Sequence, residues 1–129
     1  MKRDMDLIRA LLFKLEELPM RRGGVVHIPA GDESVAVTGY DIEQIDYHLS
    51  LIIEAGLIDD GGVHPMDGIG FRRLTGKGHD LLDSIRDPEI WAKTKKGAAA
   101  AGGFTLDLLK DLAKGLIKKQ IEKHTGVEL

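Results

Sequence analysis

Apolar residues recur at helical spacing in several short segments of this chain, and clusters of glycine and proline separate the segments. Residues 4–18 and residues 41–55 each carry leucine or isoleucine every three or four positions, which predicts two amphipathic helices. Pro19 and Gly56 stand where these helices should end, and residues 38–41 have the spacing of a capping box. Because short amphipathic helices must pack to be stable, we expect one modest core.

Short runs of β-branched residues lie between the predicted helices. Residues 25–29 and 35–37 flank a turn-forming segment, which predicts a small hairpin or two short strands. Residues 57–58 and 69–74 flank two clusters of turn residues and predict a second hairpin. Helices followed by such a hairpin are typical of a winged helix. The expected fold class is therefore α+β, a winged helix-turn-helix-like domain whose wing is this second hairpin.

The C-terminal part of the chain predicts more helix and one domain boundary. Residues 75–87 and 89–96 are each expected to form a short helix. Residues 97–103, of sequence GAAAAGG, indicate a flexible linker made of small residues. We therefore expect a winged-helix domain at residues 1–96 and a separate amphipathic helix at residues 104–129.

The last predicted helix has an apolar stripe opposite a lysine-rich face. An isolated helix would expose this stripe, so the stripe must pack against the parent domain, the same helix of a second copy, or another protein. We favour a homodimer, because isolated short helices are marginal in water and an amphipathic helix behind a linker suits association. The expected oligomerisation residues are Leu106, Leu109, Leu112, Leu116, Ile117 and Ile121.

Charge is distributed very unevenly along the chain. Residues 23–71 contain nine Asp and Glu residues and no Lys or Arg, so this stretch has a formal charge of -9 within a net charge of -3. The remainder of the chain therefore carries +6. Such an acidic middle repels phosphates and attracts a basic surface, although negative surface charge also serves simply to keep a protein soluble.

Composition and motifs argue against catalysis and against several kinds of site. The chain has no cysteine, which excludes disulfides, thiolate zinc sites and cysteine nucleophiles. Its five histidines lack the short paired spacings that metal sites favour, and its glycine pairs lack the pattern of a phosphate loop. We expect no catalytic residues, no metal and no cofactor. Because no apolar run approaches about 18 residues, we also expect a cytoplasmic protein without a membrane partner.

Several motifs, taken together, span nearly the whole chain and carry a family resemblance. They are MKRDMDLIR at residues 1–9, YHL and IEAGLI within residues 47–58, and LTGKGHDLLDSIRD and IWAKTK within residues 74–95. In these motifs the chain resembles domain-of-unknown-function family 2513 of bacteria, phages and prophages. The resemblance implies a winged-helix fold and a phage or mobile-element setting, and it implies no activity. Gly76 and Lys77 depart from the pair expected of the family, which adds a positive charge beside the wing.

Binding of a basic protein is the function that the acidic stretch favours. The helix at residues 41–55 occupies the place of a recognition helix, but its carboxylates would be repelled by phosphates. By analogy with phage inhibitors, we expect a basic host protein as the partner, with nucleic-acid-directed machinery such as a defence system as the target. His48 is included among the partner-binding residues below, although the role that the sequence favours for it is a hydrogen bond between packed helices. The expected partner-binding residues are Asp41, Glu43, Gln44, Asp46, Tyr47, His48 and Glu54.

The alternative function is a DNA-binding transcriptional regulator that acts as a dimer on two half-sites. Cations on the returning wing strand and the turn after it would contact the phosphate backbone. The expected nucleic-acid-binding residues are Arg72, Arg73 and Lys77, with Arg21 and Arg22 nearby. Because so few cations make few phosphate contacts, the binding they provide alone should be weak and sensitive to salt.

Overall fold

The computed structural model describes residues 1–19, 23–100 and 105–126. Within these ranges the chain is a mixed α+β protein with five α-helices and two small antiparallel sheets of two strands each. It divides into two compact units, unit 1 at Met1–His79 and unit 2 at Asp80–Leu129. The elements in chain order are α1 (Met5–Glu16), β1 (Val26–Ile28), a 3₁₀ turn (Glu33–Val35), α2 (Ile42–Glu54), β2 (Ile58–Asp59), β3 (Ile69–Phe71), β4 (Arg73–Leu74), α3 (Gly76–Ile85), α4 (Pro88–Ala100) and α5 (Leu106–Thr125).

The core of unit 1 forms where α1 packs against α2 and against the 3₁₀ turn and β4. The buried stripe of α1 is fully enclosed, and the matching stripe of α2 is almost as well covered. Burial of side chains of this size stabilises a fold by roughly 1.5–3 kcal/mol each before conformational entropy is subtracted. The buried residues of the two helices are Met5, Leu7, Ile8, Leu11, Leu12 and Leu15 in α1, and Ile45, His48, Leu49 and Ile52 in α2.

Strand pairing in unit 1 differs from the predicted hairpins. The hairpin predicted from residues 25–29 and 35–37 is wrong, because Val35 ends a 3₁₀ turn and β1 pairs instead with β3, far along the chain. Asp32 starts that turn by accepting a hydrogen bond from the Ser34 backbone N–H at 2.9 Å. Local turn chemistry therefore displaced the strand that β-branched composition had predicted.

The predicted wing is divided between the two sheets. β2 pairs with β4, with Ile58 opposite Leu74 and Asp59 opposite Arg73, whereas β3 leaves the hairpin to pair with β1. This arrangement confirms the α+β class, and the winged-helix assignment stays a prediction.

A hydrogen-bonded joint holds the start of α1 against α2. The Asp4 carboxylate caps α1 by accepting hydrogen bonds from the backbone N–H groups of Asp6 and Leu7, at 2.9 and 3.2 Å. The Asp4 backbone N–H donates to His48 Nε2 at 2.8 Å, and the Tyr40 hydroxyl donates to the Asp4 carboxylate at 2.8 Å. Because Nε2 accepts, the His48 proton is assigned to Nδ1, which donates to the Gln44 carbonyl oxygen at 2.7 Å.

Unit 2 is built mainly from α4 and α5, which contact each other along their length. Leu109 and Ala113 of α5 are fully buried, as is Ala98 of α4. Residues 97–100, assigned above to a linker, continue α4 instead, since alanine is the strongest helix former. The rest of the predicted linker, residues 101–103, lies outside the described residues.

Replacement of His48 tests the joint between α1 and α2. We expect His48→Ala to lower the free energy of unfolding by about 2 kcal/mol or more, because the Asp4 N–H loses its acceptor in a partly buried place. Urea denaturation followed by circular dichroism measures the change. His64→Ala is the control, since the side chain of His64 is 75% exposed, and it should change stability by less than about 0.5 kcal/mol. Equal effects of the two replacements would contradict the role of the joint.

The ionisation of Tyr40 at high pH should report on the same hydrogen-bonded joint. The hydrogen bond to Asp4, with partial burial and the negative charges of Asp4 and Asp6, raises the pKa of Tyr40 from 10.0 to about 12. Since the pKa is higher in the folded state, this stabilisation is complete below pH 10 and is lost as the pH rises towards 12. An absorbance titration of tyrosinate should show a late step that Tyr40→Phe removes and Tyr47→Phe leaves in place. A late step that survives in Tyr40→Phe would contradict the assignment.

Candidate functional site

The helix α2 begins with a capping box. Asp41 accepts a hydrogen bond from the Gln44 backbone N–H at 2.8 Å, and the Gln44 side-chain oxygen accepts one from the Asp41 N–H at 2.9 Å. The box predicted over residues 38–41 is wrong in register, and the longer side chain of Gln44 is well suited to reach back to the cap. Glu43 in the first turn also suits the positive end of the helix dipole. Two predicted partner-binding residues, Asp41 and Gln44, therefore have a structural role.

One side of α2 carries an exposed stripe that we call the α2 face, formed by Glu43, Tyr47, Ser50 and Glu54. Positions 4, 7 and 11 residues after Glu43 lie on the same side of a helix, and an 11-residue separation spans roughly 16 Å at 1.5 Å per residue. Tyr47 is 37% exposed, between two carboxylates that have no ion-pair partner in the described part of the chain. The α2 face therefore presents negative charge at both ends and an aromatic ring between them.

A loop is fixed beside α2. The Asp46 carboxylate accepts a hydrogen bond from the Gly68 backbone N–H at 2.9 Å, so this predicted partner-binding residue anchors the loop between β2 and β3. Gly68 has φ +74°, and a Cβ there would lie 1.9 Å from the Ile28 carbonyl oxygen. Only glycine can make this approach without strain. Met66 in the same loop is fully exposed and adds apolar surface to this unit.

Ile42 and Met66 are exposed apolar side chains that the sequence analysis did not assign to a site. The helical spacing of leucine and isoleucine in residues 41–55 places Ile42 in the apolar stripe of α2, but Ile42 is 59% exposed because it occupies the first helical position, at the edge of the packed stripe. The exposure of Met66 could have been predicted from the sequence, because its neighbours Pro65 and Asp67 are turn-forming residues and turns lie on the surface.

His48 cannot contact a partner directly. It is 1% exposed, and both ring nitrogens are bonded to backbone groups of the chain itself. The predicted hydrogen bond between packed helices is therefore confirmed, and the assignment of His48 as a partner-binding residue is wrong. Of the other predicted residues, Asp41, Glu43, Tyr47 and Glu54 are exposed, whereas Gln44 and Asp46 are half-buried.

The cations expected to contact DNA are partly neutralised within unit 1. Arg72 Nη1 lies 3.6 Å from Asp59 Oδ2, and Arg73 Nε lies 4.0 Å from the same oxygen. Lys77 is exposed in the first turn of α3, while Arg21 and Arg22 lie outside the described residues. Arg73 and Asp59 also line an open cleft of about 790 Å³ in unit 1. Because the cleft is lined by both a cation and a carboxylate, it should attract phosphate only weakly.

The stripe expected to join two copies lies on α5, and part of it is covered within unit 2. Leu109 is fully buried, whereas Ile121 is 40% exposed and the other four expected residues are half-buried. Leu112 approaches within 3.6 Å of the position that a Cβ on Gly97 of α4 would take. Contact between α4 and α5 therefore uses side chains that the sequence analysis assigned to a dimer. Joining of two copies through this stripe stays a prediction.

Neither a metal site nor a membrane span is present in the described part of the chain. Within residues 1–19, 23–100 and 105–126, no group of three histidine, aspartate or glutamate side chains is arranged to hold a metal ion. In the same ranges, none of the helices combines the length and the apolarity needed to cross a membrane.

These features define a small α+β protein whose candidate site is an exposed helix face rather than a reactive cluster. The chain belongs to the family described as "Hypothetical protein (DUF2513)", which it matches over residues 2–104, so the resemblance inferred from its motifs is confirmed. It is also 37% identical over 125 residues to an uncharacterized protein of Haemophilus influenzae, with 94% of this chain and 99% of that protein covered. No solved structure matches the chain.

Two glycines with the same backbone conformation test the loop beside α2. Gly62 has φ +76° with open space around its Cβ position, whereas Gly68 has φ +74° and faces the Ile28 carbonyl oxygen. We expect Gly62→Ala to cost about 1 kcal/mol of unfolding free energy through left-handed strain alone. Gly68→Ala should cost about 3 kcal/mol, because the close carbonyl must also move. Thermal and urea denaturation measure both, and equal losses would contradict the close approach.

Proposed function

We propose that this protein is a non-catalytic binding module of winged-helix type, whose α2 face docks on a basic surface of a partner protein. The observation that carries the proposal is the α2 face itself, in which Glu43 and Glu54 stand on either side of Tyr47. This face lies within residues 23–71, where no Lys or Arg is available to neutralise it locally. In the phage setting that the family resemblance implies, the partner would be a host protein, such as a component of a nucleic-acid-directed defence system.

The chemistry of the α2 face suits a protein interface. Tyrosine is among the residue types that contribute most to binding energy, because its ring buries a large area with little loss of conformational freedom. The carboxylates would accelerate encounter with a basic surface and exclude acidic ones, which supplies specificity more than affinity. Exposed Ile42 and Met66 add apolar area to the same unit.

The charge of α2 argues against DNA as its ligand. In a winged helix this position belongs to the recognition helix, which enters the major groove between two rows of phosphates. Glu43 and Glu54 would be carried towards those phosphates and repelled. The alternative use of Arg72 and Arg73 is weakened because both lie close to one carboxylate, that of Asp59. Protein binding through the α2 face therefore needs no change in these ion pairs, whereas phosphate would have to compete with Asp59 for Arg72 and Arg73.

Charge reversal on the α2 face tests the proposal. Wild-type protein immobilised on resin should enrich a basic protein from a host-cell lysate, and calorimetry with that purified protein gives its affinity. We expect Glu43→Lys with Glu54→Lys to weaken the affinity at least about tenfold, which is about 1.4 kcal/mol, and Tyr47→Ala to weaken it similarly. Glu17→Lys is the control for a charge reversal elsewhere, to be compared with Glu54→Lys alone, since Glu17 is an exposed acid outside the acidic stretch, and it should bind as wild type does.

Labelled duplex DNA provides the opposing outcome. Fluorescence anisotropy over a salt series should show no binding at physiological salt, and the same should hold for the charge-reversed variant. Binding at physiological salt that Arg72→Ala with Arg73→Ala abolishes, and that the α2 substitutions leave intact, would overturn protein docking in favour of DNA recognition by the wing cations.

A further inference from the structure

A groove between α4 and α5 in unit 2 has a chemistry opposite to that of the α2 face. Its volume is about 320 Å³, its floor is formed by Ile90 and Leu116, and its rim includes Lys119, Lys123 and His124. Ile90 is 6% exposed and Leu116 is half-buried, so the floor is apolar and already well packed from below. We call this feature the α4–α5 groove.

The rim of the α4–α5 groove has an excess of positive charge. Lys93 and Glu89 both line it, and they neutralise each other across one helical turn, with Lys93 Nζ 3.4 Å from Glu89 Oε1. Lys119 and Lys123 follow one turn apart on α5, are exposed, and have no ion-pair partner within the described ranges. Two uncompensated ammonium groups beside an apolar floor fit an acidic segment that also carries a large side chain.

We propose that the α4–α5 groove of one copy of the protein binds the α2 face of a second copy, head to tail. The inference rests on the proposed function only in taking the α2 face as a docking surface. Tyr47 would lie on the apolar floor, a carboxylate of the α2 face would pair with Lys119 and Lys123, and the small side chain of Ser50 would let the helix approach closely. This is recognition of a helix by a groove, with charge setting the orientation.

A second copy is the occupant that the observations favour. The α2 face has a tyrosine between two glutamates, and the groove has an apolar floor beside two lysines, so the two surfaces are complementary in charge and in apolar character. Both surfaces belong to this chain. Nucleic acid would use only the rim, because a phosphate backbone gains nothing from Ile90 and Leu116. The apolar stripe of α5 cannot provide the same contact in full, since Leu109 is buried within its own chain.

The contact would couple self-association to partner binding. A head-to-tail contact uses two different surfaces, so an open chain of copies leaves one α2 face unpaired at one end and one groove unpaired at the other. A basic partner protein competes for the same α2 face that the second copy occupies. Partner binding therefore dissolves the assembly, and high protein concentration lowers the apparent affinity for the partner.

Sedimentation velocity of the full chain at physiological salt tests this contact by charge reversal. The average sedimentation coefficient of the wild-type protein should increase with protein concentration. One variant, Glu43→Lys with Glu54→Lys, makes both surfaces basic, and another, Lys119→Glu with Lys123→Glu, makes both acidic. Each variant alone should lose association at least tenfold, whereas an equimolar mixture of the two should regain it. A chain carrying all four substitutions should also self-associate, because its charges are exchanged.

A matched control keeps the change on the same helix. Lys114→Glu with Lys118→Glu makes the same charge change on exposed positions of α5 that do not line the groove, so association should persist. Circular dichroism melts of every variant establish that each one is folded. Loss of association in this control as large as in Lys119→Glu with Lys123→Glu would assign the effect to overall charge and overturn the proposal.

The remaining outcomes separate this inference from the proposed function. A wild type that stays monomeric, or a dimer insensitive to Lys119→Glu with Lys123→Glu, would overturn the head-to-tail contact. The proposed function would still stand after either result if charge reversal of the α2 face abolishes binding of the basic partner protein. If charge reversal affects neither assembly nor partner, both fail. Labelled duplex DNA bound through Lys119 and Lys123 by a monomer would assign the groove to phosphate instead.

Discussion

The arrangement of unit 1 depends on which groups accept hydrogen bonds from the backbone N–H groups at the start of α1, a partly buried part of the unit. The carboxylate of Asp4 supplies the helix cap and its backbone N–H needs an acceptor, which His48 provides from α2. An unpaired backbone donor is costly where water has little access, so this bond, together with the buried apolar stripe of α2, sets the rotation of α2 about its axis. Once His48 points inward, helical geometry turns Glu43, Tyr47 and Glu54 outward. The candidate docking face is thus a consequence of a buried joint on the opposite side of the same helix.

The sequence predicted those parts of the fold that local periodicity controls. The helices containing Leu11 and Leu49 were expected close to their observed bounds, because leucine at helical spacing has few other ways to be buried. Strand partners were not predictable, since Val26 opposite Phe71 depends on contacts between residues far apart in the chain. Residues 97–100 were misassigned because alanine and glycine together suit both a linker and a closely packed helix.

The candidate site was predictable in composition and less so in geometry. A stretch without Lys or Arg marked the acidic surface, and the exposed positions of α2 followed from its period. Burial of His48 and the pairing of Asp46 with the loop at Gly68 required the tertiary structure, because both bonds join elements distant in sequence. The α4–α5 groove was likewise hidden, since it exists only once α5 packs on α4 and leaves Lys119 and Lys123 along its rim.

The absence of Lys and Arg from residues 23–71 also decides which covalent chemistry can report on the α2 face. Reagents that link primary amines have no attachment point in this stretch, whereas carbodiimide activation of Glu43 or Glu54 would form an amide with a lysine of whatever docks there. Trypsin, which cleaves after Lys and Arg, would release the stretch as a single peptide that ends at Arg72. Carboxyl-directed cross-linking followed by mass spectrometry would therefore record every linkage made by the α2 face on one fragment of known mass.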